Sequence, residues 1–549
     1  MGRNLSNWTL IDLAQRQAAA YGERKFISFE HGTSLTFVGL DRESDRLARN
    51  LAKLGVKPED RVFALVKNRV EFLLVMFATM RLGAVFVPIN TELKGAFLQH
   101  QLRNAAPRLI FVDADLVDAF NHVQGGNENL VASVIVAGEV PAEMAPVLIG
   151  APVLTFEKFS ELSGDLSDVL VEPRPQDIAC ILYTSGTSGP SKGVLMPHAH
   201  CYLFGDGMVR TMRMTAQDCQ YVCMPLFHAM GLLLQVLSAL IAGSRVYCVE
   251  RFSPNRWLED VRKSGSTVTN ALGVMPEFIF RTPESEFDRD HKLRTIMAVP
   301  VATEWGEAFE ERFNIKFMQC YGMTEVNIIC YTRDDDPLLP GMAGHVLNEF
   351  FEVRVVDPET DEVLPEGEIG EIVVRPKVPF CFGQGYFRIP ERTVKAWRNL
   401  WFHTSDAGRF DEEGRLFFED RIKDRIRRRG ENISPFEIEQ VLNDHPSVME
   451  SAVIGIRVEG AGGEDEVKAC IVTEGGREIN NVALLDYCVE RIPRFAVPRY
   501  IEVMSELDKT ATGKLRKEEL RKAGITDRTW DRESVGYKIA WRHTEARRE

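Results

Sequence analysis

Long apolar runs are missing from this 549-residue sequence. The two most apolar stretches, residues 72–88 and 231–243, are interrupted by Arg81 or too short to cross a bilayer, so both read as buried helices and strands. An excess of positive charge is missing as well. The 80 acidic and 66 basic residues leave a net charge of −14, which excludes a whole-chain field suited to nucleic acid or to an anionic membrane surface. Any anionic ligand must therefore be held by local groups. Cysteines are few and scattered: of ten, the nearest pair is Cys219 and Cys223, with no second Cys or His cluster to complete a zinc site, so the thiols read as reduced, as in the cytoplasm. Low-complexity tracts and repeat periods are absent, which excludes a disordered or solenoid chain. The first residues lack the basic flank, apolar segment and cleavage site of a secretory signal. The start Met1-Gly2-Arg3-Asn4-Leu5-Ser6 does fit the loose myristoylation pattern, which is short enough to arise by chance.

What is present is an ordinary globular balance, 45% hydrophobic and 27% charged, in a chain longer than one hydrophobic core normally organises. From about Leu10 to about Val356, helical-period segments alternate with short β-branched runs at residues 61–66, 85–89, 109–112 and 178–183, which argues for α/β layers. After Glu349 the pattern turns strand-rich and punctuated by Pro, Gly, Asp and Glu, as in an antiparallel subdomain. Arg421-Ile422-Lys423-Asp424-Arg425 is the strongest boundary candidate, followed by a helix near Pro435 and strands at 451–456 and 467–473. The expected fold is α/β: a large multi-sheet N-terminal domain over 1–422 with an antiparallel β subdomain, and a small mobile α+β domain over 423–549. Gly460-Ala461-Gly462-Gly463 and the acids after it read as a solvated loop.

Residues 183–193, Tyr-Thr-Ser-Gly-Thr-Ser-Gly-Pro-Ser-Lys-Gly, place five Ser/Thr hydroxyls, three glycines and one lysine directly after a β-like run. Glycines let several amide N–H groups point at one anion, hydroxyls add donors, and Lys192 supplies a point charge, so a polyphosphate is the natural guest. The order of a Walker A motif cannot be threaded through it, and Val194-Leu195-Met196-Pro197 reads as extended, so a helix dipole is not the main device.

That string, with Pro225-Leu226-Phe227-His228-Ala229-Met230-Gly231, resembles the phosphate loop and following motif of the adenylate-forming superfamily, which includes acyl-CoA synthetases, peptide-synthetase adenylation domains and firefly luciferase. Three further segments match in order. Gln319-Cys320-Tyr321-Gly322-Met323-Thr324-Glu325 resembles the Y-G-x-T-E segment, whose aromatic packs on adenine, whose threonine contacts phosphate and whose glutamate helps hold magnesium. Trp401-Phe402-His403-Thr404-Ser405-Asp406 resembles G-W-F-x-T-G-D, with Ser405 for glycine and Asn399-Leu400 before the aromatic pair. Asp508-Lys509-Thr510-Ala511-Thr512-Gly513-Lys514 resembles P-x-T-x-x-G-K, with aspartate for the usual proline-type residue.

The resemblance implies an AMP-forming acid–thiol ligase that takes a small carboxylic acid, ATP, Mg2+ and coenzyme A. The implied ATP site is Thr184, Ser185, Gly186, Thr187, Ser188, Gly189, Lys192, Tyr321, Gly322, Thr324, Glu325, Asp406, Arg421 and Lys514, with Asp406 and Arg421 reaching the ribose and Glu325 the metal. Lys514, Lys192, His228 and Glu325 take the catalytic roles, Lys423 is the hinge, and Arg429, Gly430, Glu431 and Asn432 line the coenzyme A path, Arg429 standing where relatives often have glycine. Arg427 and Arg428 read as a solvated charged face. His228 follows Phe227 where amino-acid-activating relatives carry an aspartate, which disfavours an α-amino acid. Met297-Ala298-Val299-Pro300-Val301-Ala302 replaces a glycine-rich turn with bulkier residues, while Glu277, Phe278, Phe280 and Trp305 are not placed by sequence relative to the acyl pocket. The tail Thr529-Trp530-Asp531-Arg532-Glu533 resembles crotonobetaine/carnitine–CoA ligases, and a short or medium apolar acid is the other expectation. No nucleic-acid partner and no transmembrane segment are expected, the location is cytoplasmic, and a homodimer is left open. The alternatives are an enzyme that stops at acyl-AMP and a non-ligase ATP-binding protein.

Overall fold

A computed structural model describes residues 5–121, 123, 131, 133–138, 152–162, 170–184, 190–272, 275–299, 301, 303–339, 341–421, 426–428, 431–433, 435–458, 464–473, 479–508 and 517–539. The chain folds as two compact units. One comprises Met1–Thr91, Gln101–Thr184 and Lys192–Lys423, the other Glu92–His100, Ser185–Ser191 and Asp424–Glu549.

The first unit holds three sheets. One runs in the order Val153–Thr155, Ser133–Ala137, Leu109–Asp113, Arg61–Leu65, Val85–Pro88, Ile178–Thr184, Lys192–Pro197. Its pairs are parallel except the last, an antiparallel hairpin. Leu109–Asp113 and Val85–Pro88 are buried at every position, which is why the sequence shows continuous β-branched and aromatic runs rather than alternation. The second sheet runs Lys316–Met318, Thr295–Val299, Val268–Leu272, Cys219–Val222, Arg245–Cys248, Lys25–Phe29, Ser34–Thr36, again mostly parallel. The apolar stretch after Arg69 is the helix Val70–Arg81, whose Arg81 is buried and paired with Asp41 and Ser44.

The third sheet has eight strands and is antiparallel throughout. It begins at Cys320–Met323, well before the change of pattern at Glu349. Its first three strands, Cys320–Met323, Asn327–Tyr331 and Met342–Val346, are short and largely buried, so they show no period-two alternation for a sequence reading to find.

In the second unit, Val448–Arg457, Asp465–Thr473, Tyr500–Met504 and Trp530–Asp531 form a four-stranded sheet with the helices Pro435–Asn443, Asn481–Arg491 and Lys517–Ala523. The tail is therefore a strand: Trp530 pairs with Ile501, and Arg499 bonds Asp531 through two nitrogens. Lys468 and Glu502 form a buried ion pair at 2.6 Å. Two expectations are corrected here. Arg428 is 2% exposed, 2.8 Å from Glu466 and donating to the carbonyls of Phe495 and Val497, so it is an interior cation rather than part of a solvated face. Glu464 is buried and Asp465 opens a strand, so the acids after residues 459–463 are not solvated loop; residues 459–463 themselves lie outside the described residues.

Among the described residues no helix is long and apolar enough to cross a membrane. Residues 1–4, where the myristoylation pattern begins, are outside them.

Candidate active site

The hairpin Ile178–Thr184 and Lys192–Pro197 brings the two ends of the hydroxyl-rich loop together, with Thr184 opposite Lys192. Ser185, Gly186, Thr187, Ser188 and Gly189 lie outside the described residues. Residues 384–387 run along the open edge of the second hairpin strand: Gln384 N–H donates to Leu195 O, Leu195 N–H to Gly385 O, and Phe387 N–H to Gly193 O, at 2.8 to 2.9 Å. This backbone pairing carries Tyr386 to the strand end, where Lys192 Nζ stands 4.3 Å from its ring centroid. The Tyr386 hydroxyl donates to Glu325 Oε1 at 2.9 Å, and Thr184 Oγ1 donates to the same oxygen at 3.5 Å. A cation and a buried carboxylate are thus joined by one tyrosine that sequence reasoning did not single out, and the Thr184 hydroxyl meets the same carboxylate.

Glu325 sits in the turn of a second hairpin, Cys320–Met323 with Asn327–Tyr331. Two features hold this turn. A Cβ on Gly322 would lie 2.1 Å from Asn327 O, so only glycine fits there. Asn327 closes the turn at φ +81°, a region asparagine tolerates better than most residues. Beneath it, the buried His200 donates from Nε2 to Thr324 O at 2.9 Å and accepts from Asn327 Nδ2 at Nδ1, 3.1 Å, which makes it a neutral Nε2–H imidazole. Burial lowers its pKa to about 4 in keeping with that state.

Tyr321, on the same hairpin, donates its hydroxyl to Asp406 Oδ2 at 2.8 Å and stacks on Phe418 with centroids 5.8 Å apart. Asp406 is buried on the strand Trp401–Phe410, in register with Arg421 of the strand Arg415–Arg421. Ser405 has φ +60°, and Asn399 and Leu400 have φ +48° and +63° in the tight turn between Arg398 and Trp401. All three departures from the glycine-bearing motif therefore adopt the left-handed backbone that glycine enters without cost.

The segment containing His228 is pinned from afar. Asn68 donates to the carbonyls of Met224 and Val249, both 3.0 Å away, and accepts the Leu226 N–H at 2.8 Å. His228, its ring 4.7 Å from that of Phe227, leads into a π-helical stretch, Met230–Val236, a geometry that recurs at functional sites. Met297 and Ala298 are fully buried in the strand Thr295–Val299, and Pro300 and Ala302 are outside the described residues. Phe280 and Trp305 stack on each other at 5.9 Å and pack with Phe309, Glu277 is buried and paired with Arg281, and Phe278 is exposed. Phe280 and Trp305 thus pack against the core around Phe309 and, with Glu277 and Phe278, make no open aromatic cage.

Of the remaining sequence candidates, Glu431 and Asn432 lie on the short strand Glu431–Ile433, opposite Arg428 and Arg427. Lys423, Arg429, Gly430 and Lys514 fall outside the described residues. Among the described residues, no group of three or more His, Cys, Asp or Glu side chains is arranged to hold a metal. The buried carboxylate of Glu325 suits magnesium, which takes most of its oxygens from phosphate and water.

The family model described as AMP-binding enzyme matches residues 14–387, and that of the AMP-binding enzyme C-terminal domain matches 437–514. The chain is 29% identical to a crotonobetaine/carnitine–CoA ligase of Salmonella paratyphi A over 516 residues, 92% of this chain and 97% of that protein. Among solved structures, ATP-bound MatB from Rhodopseudomonas palustris is similar with a TM-score of 0.64 at 26% identity, covering 93% of this chain and 98% of its own. The o-succinylbenzoate CoA synthetase of Bacillus subtilis shares the fold with a TM-score of 0.79 at 24% identity, covering 93% and 98%.

Proposed function

The chain belongs to the AMP-binding enzyme family, and from that membership we propose that it is an ATP-dependent acyl-CoA ligase. A carboxylic acid and ATP give acyl-AMP and pyrophosphate, and coenzyme A then gives acyl-CoA and AMP. The observation that carries this reading is the joining of Lys192 and Glu325 through Tyr386 at the end of a hairpin whose loop is glycine and hydroxyl. A carboxylate oxygen must attack the α-phosphorus while the bond to the β-phosphate breaks, so negative charge has to be met by fixed positive groups and donors.

In this reading Lys192 and the loop hydroxyls hold the departing pyrophosphate. Glu325 would hold magnesium, whose charge would offset that of the leaving group. Tyr321 packs on adenine, and Asp406 with Arg421 accepts or reaches the ribose. Lys514 bridges the acid and the α-phosphate. In the second step the coenzyme A sulfur attacks the acyl carbon and AMP departs with the bonding electrons; Lys514 has no further use, and Gly430 to Asn432 come into play after a turn about Lys423. His228 gates the carboxylate end of the acid. The division at residue 422, a cytoplasmic setting, supported by ten free cysteines, and a homodimer checked by light scattering belong to the same reading.

The acid is a small carboxylate. The resemblance to crotonobetaine/carnitine–CoA ligase favours a trimethylammonium acid, and a short or medium apolar acid is the other reading. AMP release measured over a panel of acids, with and without coenzyme A, tests reaction and substrate together. Acid-dependent pyrophosphate release with no coenzyme A-dependent turnover identifies an enzyme that stops at acyl-AMP. ATP hydrolysis independent of any acid overturns the ligase.

A further inference from the structure

The strand Trp401–Phe410 is irregular where it carries Asp406. Along its neighbour Gly370–Pro376, Val373 is opposite His403 and Glu371 is opposite Ala407. One residue, Ile372, therefore faces three: Thr404, Ser405 and Asp406. The excess is a bulge, and a bulge re-aims a side chain and leaves an N–H without a ladder partner. Ser405 takes the left-handed backbone conformation inside it, φ +60°, which a side chain disfavours and which persists only when its surroundings hold it.

Two contacts hold it. Thr404 Oγ1 donates to Ile372 O at 2.7 Å and accepts the Asp406 N–H at 3.1 Å. Glu371, 5% exposed, accepts the Ser405 N–H on Oε1 at 2.9 Å. Its Oε2 lies 2.9 Å from His403 Nδ1 and 3.3 Å from Arg398 Nη2, so the carboxylate is fixed from both sides. Burial pushes the Glu371 carboxyl up, but the bond and charge of His403, the Ser405 N–H and Arg398 together hold it below its ordinary range, so it is ionised at neutral pH.

We propose that Glu371 is a positioning residue for nucleotide selection: by clamping the Ser405 N–H it holds the bulge that aims Asp406 at the ribose hydroxyls. The role rests on the reading of Asp406 as the ribose acceptor. Glu371 is 35 positions before Asp406 in the chain and is linked to it through Ser405 and the strand register.

The test compares ATP with 2′,3′-dideoxy-ATP, which offers Asp406 no hydroxyl, in acid-dependent pyrophosphate exchange. Losing a charge-assisted hydrogen bond supports a change of about tenfold or more, so Glu371→Ala is expected to lower kcat/KM for ATP by ~10-fold, mainly through KM. Its kcat/KM for the dideoxy nucleotide should move less than about threefold, the ordinary context scatter of such effects, so that the preference for ATP collapses. Adding Ser405→Gly to Glu371→Ala should restore much of the preference, because glycine holds φ +60° unaided. Glu371→Gln, which keeps an acceptor oxygen and loses the charge, should show the same ratio shift at smaller size, and carries the test if the alanine variant does not fold. Equal loss with both nucleotides, or no recovery with Ser405→Gly, overturns the proposal. Asp406→Asn separates the two ideas. If it abolishes the ATP preference while the Glu371 variants keep theirs, the role of Glu371 alone falls. If it leaves the preference intact, the ribose role of Asp406 falls, and the role of Glu371 with it.

Discussion

Tyr386 donates its hydroxyl hydrogen to Glu325 Oε1 across 2.9 Å while its ring faces the ammonium of Lys192. One side chain thereby fixes both the carboxylate assigned to the metal and the cation assigned to pyrophosphate. Tyr386→Phe removes only the hydrogen bond, and a bond to a charged group supports a drop of about tenfold in acid-dependent pyrophosphate exchange. Tyr386→Leu also removes the ring and should lose roughly another threefold to tenfold. A Tyr386→Phe enzyme exchanging at the unaltered rate would remove Tyr386 from the site.

The two half-reactions should separate genetically. Lys514→Ala is expected to abolish acid-dependent pyrophosphate exchange yet leave thioester formation from supplied acyl-AMP largely intact, because the lysine is assigned to the first charge build-up only. Loss of both steps to the same degree sinks that division of labour.

Leu400 is 79% exposed at φ +63° in the tight turn before Trp401. It bears left-handed strain without gaining packing. Leu400→Gly should therefore raise stability by about 1 kcal/mol, the usual left-handed penalty for a side chain, less glycine's greater unfolded-state freedom. Thermal unfolding reads this as a small rise in Tm with activity unchanged. A fall in Tm would mean that Leu400 is covered in solution.

Acid should weaken the first unit through two buried histidines. His198 and His200 are both buried, and burial lowers each to about 4 against an ordinary value of 6.5. Between those values the unfolded chain binds more protons than the folded one, so the stabilisation is complete above about pH 6.5 and drains away as pH falls toward 4. Each shift corresponds to roughly 3 kcal/mol at its limit. Denaturant midpoints measured from pH 7 to 5 should fall steadily, and replacing both histidines with glutamine should flatten that slope while lowering stability at pH 7. An unchanged slope in the double variant would place the proton uptake elsewhere.

Legibility in the sequence followed the range of the physics. The hairpin Ile178–Thr184 with Lys192–Pro197 was readable because strand, loop and strand are contiguous, and the glycines and hydroxyls that suggest a phosphate loop need no reference to any distant residue. Residues 61–66, 85–89, 109–112 and 178–183 read as strands for the same local reason, and each overlaps a strand of the first parallel sheet. The Y-G-M-T-E segment was recognisable, but that it forms a hairpin opening the antiparallel sheet was not, since its strands are too short and buried to alternate.

By itself, then, the sequence determined the fold class through local composition and periodicity, and the motif order through its resemblance to a known family. Only the tertiary structure decided which distant side chains complete the site. Tyr386 meets Lys192 because residues 384–387 pair with the strand Lys192–Pro197, and Glu371 meets Ser405 because the strand Trp401–Phe410 sets three residues opposite one of its neighbour. Asn68 pins the His228 segment, and Arg428 is drawn inside by Glu466 rather than left to solvent. Strand register and burial set these contacts, and neither is a property of spacing along the chain.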